Sequence, residues 1–103
     1  MILVTTDFVS GKELETIGMV KGSTVQTVNA FKDIGAAFKN LVGEELESYT
    51  SMMNNARALA TKRMVLEAEG MKADAVIGIK YASAAITQAA AEVIAYGTAV
   101  RFK

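Results

Sequence analysis

Residues 44–70 read EELESYTSMMNNARALATKRMVLEAEG, twenty-seven positions with no proline and no glycine before Gly70. Strong helix formers dominate the run, so it predicts one long helix from Glu44 to about Met71. Glu44, Glu45 and Glu47 crowd the first turn, where negative charge suits the helix dipole, and Gly70 stands where a glycine ends such helices. The helix carries two apolar stripes. Leu46, Tyr49, Met53, Ala56, Ala60, Met64 and Ala68 form one, and Met52, Leu59 and Leu66 follow a seven-residue spacing on an adjacent face. Such a helix is roughly 40 Å long at 1.5 Å per residue, whereas a compact chain of this size is only roughly 34 Å across. One subunit does not comfortably cover both stripes, so the second is expected to meet a neighbouring copy.

Working outward, Ala73–Tyr81 is β-rich, with Ala75, Ile77, Ile79 and Tyr81 alternating toward one face. Alternation returns in Ile94, Tyr96, Thr98, Val100 and Phe102, and Gly97 marks a close approach or bulge. Between them, residues 83–92 are ambiguous, because Ala, Gln and Glu favour helix while the flanks favour strand. Upstream of the helix, Ile2–Thr6 predicts a small edge strand followed by a turn at Ser10-Gly11-Lys12. Residues 15–28 predict two β segments around a turn at Gly22. Asn29 is a suitable N-cap for a short helix from Ala30, striped by Phe31, Ile34, Phe38 and Leu41 and broken at Gly43.

Composition narrows the chemistry. The chain has 103 residues, 11 basic and 11 acidic, and no His, Cys, Pro or Trp. That excludes imidazole and thiolate catalysis, disulfides and the usual zinc, copper or iron–sulfur ligand sets. Zero net charge with scattered Lys and Arg leaves no electrostatic footprint for nucleic acid. The N-terminal residues lack a basic region and a long apolar stretch, so the reading is one domain over 1–103, cytoplasmic, with no membrane partner and no cofactor.

Five residues are candidates for binding a ligand. Asn29 and Asp33 offer polar atoms, although a cap and a first-turn charge account for both. Glu44, with Glu47 on the same helix face, offers carboxylates for a hard cation or acid–base work, although the dipole explains them equally. Tyr49, like Tyr81, offers a ring for a flat ligand, against a core or interface role. Arg57 stands alone among small residues as a clamp for phosphate or carboxylate, against an ion pair between subunits. Met52, Met53, Met64 and Met71 are soft donors in principle, and at helical spacing they read as packing.

The chain resembles the YbjQ-like family of small bacterial proteins, which carries a heavy-metal-binding label. The resemblance lies in ordered blocks along the whole chain: Thr5-Thr6, Asn29–Asp33, Val42-Gly43-Glu44 with Ser48-Tyr49, Ala56-Arg57, Met64, Ala68, Ala73–Gly78 and Gly97–Val100. It implies an α+β, dodecin-like β-α-β-β subunit, with one long helix on an antiparallel sheet, extra short N-terminal strands, and assembly into a pentameric ring. It also implies that residues 83–92 form a hairpin joining two long strands. Two departures stand out: Val42-Gly43 where many members have Gly-Gly, and Met71-Lys72-Ala73 where Leu-Gly-Ala is commoner.

The expectation for function is therefore a homo-oligomer that binds a small ligand or ion at subunit junctions or on the ring axis, a cation being a hard one held by oxygen. An enzyme using carboxylates, Arg57 and Tyr49 between subunits, and a purely structural or partner-binding ring, are the alternatives.

Overall fold

The computed structural model describes residues 1–27, 44–87 and 90–103. The elements in chain order are β1 (Ile2–Leu3), β2 (Leu14–Thr27), α1 (Glu44–Gly70), β3 (Ala75–Thr87) and β4 (Ala90–Phe102). The expected short helix after Asn29 lies outside the described residues.

The sheet has spatial order β1-β3-β4-β2. The three long strands are mutually antiparallel neighbours across β4, but β1 joins β3 in parallel, so the sheet is mixed rather than purely antiparallel. Residues 83–87 and 90–92 lie on the paired antiparallel strands β3 and β4, as the resemblance implied and propensity alone did not decide. Thirteen-residue strands reach about 43 Å at 3.3 Å per residue. The described residues accordingly extend 53 × 22 × 16 Å, with a radius of gyration of 16.6 Å against about 13 Å for a compact chain of this length.

The expected turn at Gly22 is absent: β2 runs through it as one strand. Its missing side chain serves packing instead. A Cβ there would collide with the Ala60 carbonyl and the Met64 amide, so glycine lets β2 lie directly beneath α1. The rest of that contact is equally slim. Along β4, Ala91, Val93, Ala95, Gly97 and Ala99 share the face toward the helix, and they meet Ala56, Ala60, Met64 and Ala68 of the first stripe, all buried. Met64 is the largest buried side chain in this layer.

The second stripe divides. Met52 is buried within the subunit, contrary to its assignment to a neighbour's side, whereas Leu59 is half-buried and Leu66 is 56% exposed.

The expected alternation of Ala75, Ile77, Ile79 and Tyr81 also fails in part. Gly78 adopts φ 61°, and Ile77 pairs with Thr98 while Lys80 pairs with Tyr96, so Gly78 and Ile79 together oppose Gly97. This bulge turns the strand over: Val76, Ile79 and Tyr81 lie on the helix side, Ala75 and Ile77 on the other. Gly97 fits the bulge because a Cβ there would stand 2.8 Å from the Ile77 carbonyl oxygen. The N-terminal segment follows β3 only this far, with the Gly78 and Ile79 amides donating to Thr6 and Val4 carbonyls at 2.8 and 3.1 Å. From Lys80 onward the outer edge of β3 has no backbone partner among the described residues.

At its C-terminus α1 ends at Gly70, but the residue in the left-handed region is Lys72, at φ 59°. The Ala73 amide closes the turn onto the Ala68 carbonyl at 3.1 Å. The last turn holds no basic residue of its own. Arg101 of β4 supplies that charge, donating to the Met71 and Lys72 carbonyls at 3.0 and 3.3 Å.

Candidate functional site

The helix sits over β2 and β4 and leaves β3 largely uncovered on the same side. Side chains of α1 also reach past β2 and satisfy its outer edge, for the Lys21 amide donates to Glu67 Oε1 at 3.0 Å and Arg63 Nη1 donates to the Ser23 carbonyl at 2.7 Å. Capping of this kind blunts an edge strand. On the opposite flank, where β3 emerges from under the helix, the step between helix wall and sheet floor forms a recess of about 90 Å³ lined by Arg57, Tyr81, Ala82, Ser83 and Val93.

Each residue arrives there for a local reason. Arg57 is exposed on α1 between the buried Ala56 and Ala60, and its Nη2 donates to Asn54 Oδ1 one turn earlier. Tyr81 owes its place on the helix side to the bulge at Gly78, and its hydroxyl lies 2.6 Å from Thr61 Oγ1. Thr61 Oγ1 also donates to the Arg57 carbonyl at 2.7 Å, an i to i−4 bond along the helix. Ser83 follows Tyr81 on the same face of β3. No carboxylate forms an ion pair with Arg57 among the described residues.

Two of the five candidates, Tyr49 and Arg57, have side chains among the described residues. Asn29 and Asp33 lie outside the described residues, and Glu44 is the first residue of α1, its side chain likewise outside them. Tyr49 is half-buried on α1, about 12 Å along the axis from Arg57, and does not line the recess. Of the two described candidates, Arg57 lines the recess and Tyr49 does not. Thr61 and Ser83 carried no signal in the sequence, since isolated hydroxyl residues acquire meaning only through what the fold places beside them.

For metal, the donors are limited. The sequence has no His and no Cys, and the described residues contain no group of three or more acidic side chains placed to hold an ion. Methionine sulfur is the single soft donor type, and Met52 and Met64 are spent in the core. No helix among the described residues is long and apolar enough to cross a membrane.

The fold is shared with a crystal structure of a protein of unknown function, assigned to the DUF74 family, from Pediococcus pentosaceus: TM-score 0.70, 13% identity, covering 100% of this chain and 98% of that one. Sequence places the chain more narrowly. Residues 1–103 match the YbjQ family model, described as "Putative heavy-metal-binding", and the chain belongs to that family. Its relatives include UPF0145 proteins from Alkaliphilus metalliredigens, 61% identical over 99% of both chains, and Clostridium novyi, 62% identical over 98% of both. Another, from Fervidobacterium nodosum, is 53% identical over 100% of this chain and 96% of its own.

Proposed function

We propose that the protein works as a homo-oligomer, a pentameric ring in the cytoplasm, that holds a small ligand or ion where subunits meet. The observation that carries this is the face of the sheet turned away from α1. Ile94, Tyr96, Thr98, Val100 and Phe102 of β4 point to that side; Val100 is fully buried within the subunit, and the other four are at least partly exposed. Beside them across β2 stand Met19 at 68% exposure and Val25 at 53%. Lys21, Ser23, Lys80 and Glu92 share this face, so its exposed apolar side chains form a patch interrupted by charge, and such a patch suits an association site.

A second copy of this chain is the occupant proposed, because two further features suit it. The outer edge of β3 from Lys80 to Thr87 offers unpaired backbone groups among the described residues, and the β2 edge on the opposite flank is capped by Glu67 and Arg63. The open β3 edge is the one available to a second copy, the β2 edge being blunted by its caps. Leu66, exposed on the second stripe of α1, adds apolar surface on the helix side. The ring of five rests on the family resemblance alone.

Native mass spectrometry of the untagged protein tests both halves. The proposal expects an assembly near five times 10.9 kDa with added mass from a retained small molecule or ion. A ring without added mass favours a purely structural assembly, and a monomer rejects the proposal. None of the described residues that line the recess is acidic.

A further inference from the structure

We infer that the recess between α1 and β3 takes a small hydroxycarboxylate, with its carboxylate on Arg57 and its hydroxyl donating to Tyr81. This deepens the small-ligand reading above and rests on it.

Proton accounting fixes the polarity of the site. The Thr61 hydroxyl has one proton, and that proton goes to the Arg57 carbonyl at 2.7 Å. The 2.6 Å contact between Thr61 Oγ1 and the Tyr81 hydroxyl must then use the tyrosine proton. Tyr81 is left with lone pairs and no proton, so toward the recess it accepts only. Arg57 is the opposite: a guanidinium has only donors, one of them is engaged by Asn54, and no carboxylate pairs with it among the described residues. An anion at Arg57 gains a charge-assisted bond. A plain carboxylate would satisfy Arg57 but set lone pairs against the Tyr81 oxygen. A ligand carrying a hydroxyl next to its carboxylate satisfies both, and Ser83 rotates its hydroxyl to suit either group. Val93 supplies apolar wall for a short carbon chain, and Ala82, whose side chain points to the other face, contributes its backbone. The recess, about 90 Å³ and open to solvent, has room for the two or three carbons next to the carboxylate.

Titration of the full-length, ¹⁵N-labelled protein with glycolate, propionate and inorganic phosphate tests the assignment through the amides of Arg57, Tyr81 and Ser83. Glycolate is expected to give saturable shifts, with propionate and phosphate at least about tenfold weaker. Arg57→Gln should lower glycolate affinity about tenfold or more. Tyr81→Phe should bring glycolate down to the level of propionate, with circular dichroism confirming an unchanged fold. Equal binding of glycolate and propionate, a preference for phosphate, or no saturable shift with any probe would overturn the inference. A ring of the expected mass with no glycolate response sinks the ligand class alone, whereas a monomer that binds glycolate sinks the ring alone.

Discussion

Gly22 of β2 lies directly beneath the Ala60 carbonyl of α1, and the contact leaves no room for even a methyl group. It sets the distance at which the helix rides over the sheet, and the alanines of β4 and α1 are matched to that distance. Gly22→Ala is therefore expected to destabilise the fold by about 2–3 kcal/mol, since both obstructing atoms are backbone and cannot swing away. Gly18 provides the control. A Cβ there meets nothing within 4 Å, so Gly18→Ala should leave the urea midpoint unchanged or raise it slightly.

Lys72 holds a left-handed conformation at φ 59° that glycine adopts without cost. Lys72→Gly should stabilise the protein by roughly 0.5–1 kcal/mol, read as a higher thermal midpoint.

Arg101 takes over the task of a basic residue in the last turn of α1 by holding the Met71 and Lys72 carbonyls. It also lies 3.6 Å from Glu15, an exposed pair that adds little. Arg101→Gln should cost about 1 kcal/mol, nearly independent of salt, because the bonds to carbonyls and not the ion pair carry the effect. A midpoint that falls only at low ionic strength would reverse that assignment.

The donor set opposes the family's metal label for this member. Without imidazole or thiolate, soft and borderline metals are offered only carboxylate, carbonyl, hydroxyl and methionine sulfur, and lack the His and Cys ligands of the usual tight zinc and copper sites. Calorimetry on the untagged protein should show no saturable uptake of zinc or copper at equimolar metal. Tight uptake of either would refute this.

How far these features were legible in the sequence depended on whether the cause was local. The helix over 44–70 was readable because its propensities, first-turn acids and stripe all agree. Gly22 was misread because a glycine inside a β-prone run means either a turn or a close approach, and what decides between them is a helix some forty residues away. The bulge at Gly78 was hidden since Ala75, Ile77, Ile79 and Tyr81 stay apolar or aromatic on either face. The hairpin was hidden by alanine, which here serves close packing rather than helix formation. At the recess Arg57 and Tyr81 could be singled out by type, but Thr61 and Ser83 meet them only through the fold.

Sedimentation equilibrium of the wild-type chain beside a Met19→Glu, Val25→Glu double variant bears most directly on assembly through the outward face of the sheet. Both side chains are more than half exposed, so charge there should leave the subunit's secondary structure intact. Leu59→Glu, on the second helix stripe, should likewise weaken assembly more than it lowers helix content. The wild type is expected near 55 kDa, five times its 10.9 kDa chain, and the double variant as smaller species with an unchanged circular dichroism spectrum. A wild type that sediments as a stable 10.9 kDa monomer would contradict the proposal outright.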